Sequence, residues 1–119
     1  MKAFAVAAAL LAAAWPAHAA GDAAVGAQEY EARCGGCHAV DEHRVGPAHR
    51  GVFGRRAGSA AGFAYSAALR RSGIVWDERS LDAWLADPEK LVPGQGMNVS
   101  IGDAALRRDI VAYLRSLAS

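Results

Sequence analysis

The residues of this chain best suited to chemistry stand in one run, Cys34-Gly35-Gly36-Cys37-His38. Two thiols separated by two residues and followed directly by an imidazole form the attachment signature of a c-type haem. The spacing has a chemical reason, because thiols about one helical turn apart can each form a thioether with a porphyrin vinyl group. The next residue then places an imidazole under the iron. His38 is therefore predicted to be the proximal axial ligand, with a neutral ring nitrogen as donor.

Two other chemistries use similar spacings. A redox-active dithiol normally has its C-x-x-C in a βαβ pattern, which this sequence does not show. A structural zinc site needs four nitrogen or sulfur ligands, and beyond the motif only His43 and His49 remain as candidates after residue 19. Haem attachment is the favoured interpretation, with the zinc site and the dithiol as the alternatives.

Residues 1–19 have the pattern of a secretory signal peptide. Lys2 supplies the positive charge, residues 3–14 are apolar, and Ala17-His18-Ala19 has the small-x-small form of a cleavage site. A membrane anchor needs about 18 or more uninterrupted apolar residues, and Trp15-Pro16 breaks this stretch. We expect cleavage after Ala19, a periplasmic location and no stable membrane anchor. Export is also expected of a bacterial c-type haem protein, so the signal pattern and the cysteine motif support each other.

The remaining residues, 20–119, are predicted to form one domain. A domain this small is only marginally stable by itself, so a covalently held haem would supply a large part of its core. The whole chain has 13 Lys and Arg against 12 Asp and Glu, and loss of Lys2 leaves twelve of each. This neutral balance gives no support for nucleic-acid binding, which requires a strongly basic face.

Helical spacing and capping residues predict an all-α domain, since no stretch alternates with a period of two. Glycine and proline recur over residues 39–62 and indicate a long loop, which wrapping around a flat cofactor would explain. Three to five helices and long loops around one covalent haem are expected. Four helices are predicted. The first follows an Asp22 cap and runs from about Ala23 into the cysteine motif, and the second covers residues 66–71. The third begins at residue 77 or 78 and ends at Asp87-Pro88, and the last follows an Asp103 cap.

Further ordered segments extend well beyond the cysteine motif, and with them the sequence resembles class I cytochrome c, in particular the mitochondrial cytochrome c and bacterial cytochrome c2 group. The likeness runs from about Gly26 to the last helix, and it implies the small cytochrome c fold. It also implies that Gly26 and Tyr30 pack on Ile110 and Tyr113. The matching segments are Cys34-Gly35-Gly36-Cys37-His38, Val45-Gly46-Pro47, Gly51-Val52-Phe53-Gly54-Arg55, Gly62-Phe63-Ala64-Tyr65-Ser66, Gly73-Ile74-Val75-Trp76, Asp87-Pro88 and Val92-Pro93-Gly94-Gln95-Gly96-Met97.

The resemblance implies roles for five further residues. Met97 is expected to be the distal axial ligand, a thioether that raises the reduction potential; the alternative is a methionine that fills a gap in the core. The carbonyl of Pro47 is expected to accept a hydrogen bond from the proximal imidazole. Arg55, Tyr65 and Trp76 are expected to hold a buried haem propionate. An arginine is otherwise usually solvated, and a tryptophan otherwise usually belongs to the core.

Five positions depart from the family pattern. His49 stands where a leucine normally packs on the haem, so its side chain either points outward or is an unusual polar neighbour. Trp84 replaces a tyrosine near the axial methionine, and Val99 replaces an aromatic residue. Gln95-Gly96 replaces a Thr-Lys pair, so the loop before Met97 lacks a hydroxyl and a positive charge. A weaker bond from Met97 to the iron is therefore expected.

An iron whose two axial positions are filled by His38 and Met97 has no open site for O₂ or peroxide. The resemblance therefore implies a periplasmic monohaem electron carrier of a respiratory chain, and not an enzyme. The expected partners are a cytochrome bc1-type complex, a terminal oxidase or a periplasmic dehydrogenase, met by a monomer or in a transient complex. Two alternatives stay open: the electron-accepting small subunit of a periplasmic dehydrogenase, and a ligand-binding or peroxidatic haem protein in which Met97 is displaced.

Overall fold

The computed structural model describes residues 1–10 and 20–118, and α-helices are the regular elements found in these ranges. The predicted all-α class is confirmed, and none of the described helices is long and apolar enough to cross a membrane. The predicted signal-peptide cleavage site falls within residues 11–19, outside the described residues. The helices are α1 (Ala23–Arg33), α2 (Ala67–Arg71), α3 (Glu78–Ala86), α4 (Pro88–Leu91) and α5 (Ala104–Ser116).

The two long terminal helices begin at the predicted aspartate caps. The Asp22 carboxylate accepts hydrogen bonds from the backbone N–H groups of Ala24 and Val25, at 2.9 and 3.1 Å. Asp103 does the same for the first turn of α5. Each cap satisfies backbone donors that the first turn of a helix leaves without a partner.

Helix α1 crosses α5 at a glycine. A Cβ atom added to Gly26 would overlap the backbone carbonyl of Asp109, so only glycine allows the two helices to lie this close. One turn further along, the rings of Tyr30 and Tyr113 meet edge to face, with centroids 5.2 Å apart. Ile110 beside them is 1% exposed. The packing that the resemblance implied between the first and last helices is therefore confirmed.

Helices α3 and α4 follow each other across Asp87. A capping box of Asp77 and Ser80 begins α3, which buries Leu81, Trp84 and Leu85. Asp87 ends α3 and its side chain caps α4, where Pro88 occupies the first turn. Proline suits this position because its fixed φ is helical and its missing N–H is not needed there. Helix α4 was not predicted, since four residues are too few to show a periodic pattern.

The long loop after the cysteine motif is tied to the segment before α3. The N–H of Trp76 donates to the carbonyl of Arg55 at 2.9 Å, and the N–H of Gly54 donates to the carbonyl of Trp76 at 2.6 Å. Gly58 has a φ of +72°, and a Cβ there would lie 2.8 Å from the Arg70 Cα, so the loop also lies directly on α2. These hydrogen bonds place Arg55 and Trp76 side by side, although the two residues are far apart in the sequence.

Candidate haem site

A cavity of about 430 Å³ lies among α1, α3, α5 and the loops between them. Its walls are formed largely by buried apolar residues of the core, such as Val52, Leu81, Leu85 and Ile110. All eight predicted site residues line it, although they come from six separate stretches of the chain. They are Cys34, Cys37, His38, Pro47, Arg55, Tyr65, Trp76 and Met97.

The cysteine motif forms a turn that continues from α1. Cys34 is the C-cap of that helix, and its carbonyl accepts hydrogen bonds from the N–H groups of Cys37 and His38, at 3.1 and 2.8 Å. The two thiols and the imidazole therefore stand on one turn of backbone against the cavity. Burial raises the pKa of the Cys34 thiol to about 11, while Cys37 is exposed.

The imidazole of His38 is fixed from behind. Its Nδ1–H donates to the carbonyl of Pro47 at 2.8 Å, which leaves Nε2 with a free lone pair. Burial lowers the pKa of His38, and the bond to Pro47 opposes this only in part, so the ring is neutral. A Cβ at Gly46 would overlap the ring. The backbone thus holds His38 in the tautomer and orientation that a metal ligand requires.

His49 points inward and is an uncharged polar neighbour of His38. The two rings stack with centroids 4.0 Å apart and planes inclined by 22°. Burial, together with the neighbouring His38 and Arg55, lowers the pKa of His49 to about 3. The Tyr30 hydroxyl, whose pKa burial raises, is hydrogen-bonded to Nδ1 of His49 at 2.8 Å. Of the two orientations that the sequence left open, the structure therefore has the inward one.

Three residues with hydrogen-bond donors also line the cavity. The Arg55 guanidinium is oriented by the backbone carbonyls of Arg50 and Ala48, at 3.3 and 3.5 Å. Trp76 is 6% exposed and packs edge to face on Trp84. Tyr65 packs in the same way on Phe63, with ring centroids 4.9 Å apart. A guanidinium, a hydroxyl and an indole N–H lining one cavity are suited to a carboxylate group that enters it.

Met97 reaches the cavity from the loop between α4 and α5. Within this loop the Gln95 side chain is 8% exposed, and its Oε1 accepts a hydrogen bond from the backbone N–H of Met97. Its Nε2 donates to Glu89 at 3.1 Å. The sequence shows that residue 95 lacks the hydroxyl of the family pattern, but it predicts neither this contact nor that of Tyr30 with His49. Neither pair has a spacing that marks it in the sequence.

The residues present fit a covalently attached haem. Two thiols, a neutral imidazole, a thioether, apolar walls and donors for carboxylates line one cavity, and each matches a part of that group. The fold and this cavity together define a monohaem electron-transfer protein of the all-α class.

Comparisons with known proteins agree with this class. The family model for cytochrome c matches residues 23–118. The chain is 37% identical over 101 residues to a cytochrome c of Guizotia abyssinica, covering 82% of this chain and 91% of the relative. It is 41% identical over 100 residues to a cytochrome c of Euglena viridis, covering 82% and 98%. The structure of cytochrome cH from Methylobacterium extorquens matches with a TM-score of 0.77 and 45% identity, over 81% of this chain and 99% of that one.

The chain belongs to the cytochrome c family. Members of this family bind one covalent haem c, and they are electron-transfer proteins and not enzymes. The predicted resemblance, the cofactor and the electron-transfer role are thereby confirmed.

Proposed function

We propose that this protein is a periplasmic one-electron carrier in which His38 and Met97 are the axial ligands of the haem iron, with Cys34 and Cys37 as its covalent attachments. The supporting observation is that these four side chains line one cavity although Met97 lies some sixty residues further along the chain. The family likeness supports electron transfer, and the signal-like residues 1–19 support export. The partners would be a cytochrome bc1-type complex, a terminal oxidase or a periplasmic dehydrogenase.

Each residue at the cavity has a distinct part in this function. The bound haem supplies the one-electron chemistry. His38 presents Nε2 because Pro47 holds Nδ1, and the Met97 thioether favours reduced over oxidised iron. Arg55, Tyr65 and Trp76 would hold a propionate and compensate its charge inside the fold. The protein thus contributes ligand identity, burial and hydrogen bonding, which are the features that set a reduction potential.

Part of the mouth of the cavity is apolar and accessible. Val45 is 78% exposed and Val99 is 43% exposed, and both line the cavity. Cys37 beside them is also exposed. An accessible apolar rim next to an otherwise buried cofactor is suited to brief contact with a redox partner, at the low end of interface sizes.

The axial assignment is tested by Met97→Ala in the holoprotein. We expect the oxidised wild type to be low-spin, with the weak long-wavelength band typical of Met-ligated cytochromes c. Met97→Ala should abolish that band and lower the midpoint potential, because a soft thioether that stabilises Fe(II) is removed. Val99→Ala, another change at the cavity wall on the same loop, should keep the band. A band that is absent from the wild type, or that survives Met97→Ala, contradicts the assignment.

A further inference from the structure

We propose that Glu89 and Gln95 are positioning residues that hold the Met97 loop closed against the haem. This rests on the proposed axial role of Met97. The sequence predicts a weakly held ligand, because residues 95 and 96 lack the hydroxyl and the charge of the family pattern. The structure instead shows that Gln95, within this loop, is hydrogen-bonded both to Glu89 on α4 and to the backbone of Met97.

The pair closes a continuous set of hydrogen bonds around the loop. One carboxylate oxygen of Glu89 accepts from the backbone N–H of Gly94 at 2.8 Å. The other accepts from Nε2 of Gln95 at 3.1 Å, and Oε1 of Gln95 accepts from the backbone N–H of Met97. Glu89 therefore binds the loop directly at residue 94 and, through Gln95, at residue 97.

The orientation of the Gln95 amide follows from its partners. A backbone N–H can only donate, so it must meet Oε1, and a carboxylate can only accept, so it must meet Nε2. Both partners require the same orientation. Gln95 is only 8% exposed. Leaving one of its amide atoms without a hydrogen-bond partner would therefore destabilise the fold more than the same loss at the surface.

Helix α4 gives Glu89 a fixed base. The Asp87 side chain accepts a hydrogen bond from the N–H of Lys90 at 3.2 Å, and Pro88 is buried. Gly94, between the two residues of the pair, has a φ of +88°, a conformation that glycine adopts without strain. The chain can therefore turn back tightly enough for the Gln95 amide to reach Glu89. A short capped helix thus anchors a loop that has no regular structure of its own.

The test measures how readily imidazole displaces Met97 in the oxidised holoprotein, followed by loss of the long-wavelength band. Gln95→Glu keeps an oxygen for the Met97 N–H but removes the donor and sets two carboxylates against each other. We expect it to bind imidazole roughly five- to tenfold more tightly than the wild type, the factor expected for loss of one hydrogen bond of typical net strength. Glu89→Gln, an exposed change, should have a smaller effect in the same direction.

The double variant Glu89→Gln/Gln95→Glu exchanges the two groups and provides the decisive comparison. The introduced amide at position 89 can donate to the introduced carboxylate at position 95, and oxygens remain for the N–H groups of Gly94 and Met97. We expect imidazole affinity to return to within about twofold of the wild type, since the partners are again complementary. General loosening of the fold would not be reversed in this way.

Glu78→Gln is the matched control, because Glu78 pairs with Arg115 on an exposed surface at 2.5 Å, with both side chains more than 60% exposed. It should leave imidazole affinity unchanged. Single variants that bind imidazole like the wild type, or a double variant that is no better than Gln95→Glu, would overturn the positioning role. A wild type without the long-wavelength band would instead overturn the axial role of Met97, so the two failures are distinguishable.

Discussion

The Tyr30 hydroxyl is hydrogen-bonded to Nδ1 of His49 at 2.8 Å, and the ring of His49 stacks on that of His38. Tyr30 also lies at the crossing of α1 and α5, edge to face with Tyr113. One side chain therefore joins the packing of the two terminal helices to the ring predicted to bind iron. A leucine at position 49, as in the family pattern, could pack on the haem but could not form this connection.

Replacing only Tyr30 or only His49 should lower the free energy of unfolding more than replacing both residues. Tyr30→Phe leaves Nδ1 of His49 without its hydrogen-bond partner, and His49→Leu does the same to the Tyr30 hydroxyl. Each single change should lower the free energy of unfolding by about 1–3 kcal/mol, because a buried polar group loses its partner. The double variant Tyr30→Phe/His49→Leu should recover part of this loss. Denaturant unfolding of the four holoproteins measures the coupling, and strictly additive effects would show that the hydrogen bond contributes nothing.

The crossing of α1 and α5 should not tolerate a methyl group at Gly26. Alanine is favoured over glycine in a helix by about 1 kcal/mol, but the added Cβ would overlap a backbone carbonyl that cannot rotate away. Gly26→Ala should therefore lower the free energy of unfolding by about 1–3 kcal/mol, the usual cost of overpacking. Gly102→Ala is the control, since a Cβ there meets nothing within 4 Å. Equal stability of the two variants would mean that the helices can separate at little cost.

The helix caps and the candidate site residues could be predicted from patterns in the sequence. The caps of α1 and α5 were found because an aspartate before an apolar-periodic stretch acts on the nearest backbone N–H groups. The site residues were predicted because their order and spacing match a known family, and the structure brings all eight to one cavity. Their roles at the haem stay predictions. Both kinds of signal are readable from types and distances along the chain.

Three features that depend on side-chain direction or on a tertiary contact were not predicted. His49 had two possible orientations, and only its stacking on His38 and its bond to Tyr30, nineteen positions earlier, resolve them. Gln95 was interpreted by what it lacked, because nothing in the sequence shows that its amide reaches Glu89. Helix α4 depends on one aspartate that both ends a helix and caps the next. In each case a tertiary contact decides what a local pattern leaves open.

The cap of α3 should make stability depend on pH in the acid range. Hydrogen bonds from the Ser80 backbone and hydroxyl lower the pKa of Asp77 below its ordinary value of 3.8. The native state therefore binds this proton less readily than the unfolded state does. The resulting stabilisation is complete above about pH 4 and is lost as the pH falls through the lowered native pKa.

Asp77→Asn tests this dependence because it keeps a side-chain oxygen for the cap but cannot titrate. The wild type should lose its advantage over Asp77→Asn as the pH is lowered below about 4, as measured by denaturant unfolding at a series of pH values. Glu42→Gln, a change in the exposed loop, is the control and should follow the wild type. A stability difference between wild type and Asp77→Asn that stays constant with pH would show that the cap does not depend on the charge of Asp77.

Electron transfer to the native partner should depend weakly on salt. Residues 20–119 carry twelve basic and twelve acidic side chains, and Arg33, beside the cysteine motif, is already paired with Glu29 at 2.9 Å. Screening acts over about 8 Å at physiological ionic strength, so a polypeptide whose basic and acidic side chains balance has little long-range attraction to lose. The encounter should instead depend on the apolar rim formed by Val45 and Val99. Oxidation of the reduced holoprotein by membranes of the source organism, measured at low and physiological salt, should therefore differ by less than about twofold in rate.

Single substitutions distinguish binding through the apolar rim from attraction between charges. Val99→Ser should slow the reaction severalfold by making the rim polar, whereas Val25→Ser, at a similarly exposed valine on α1, should not. Neutralising Lys90 or Arg33 should cause only a modest loss, because rim charges mainly affect the association rate through steering. A rate that falls many-fold with salt and is insensitive to Val99→Ser would show that charge governs the encounter.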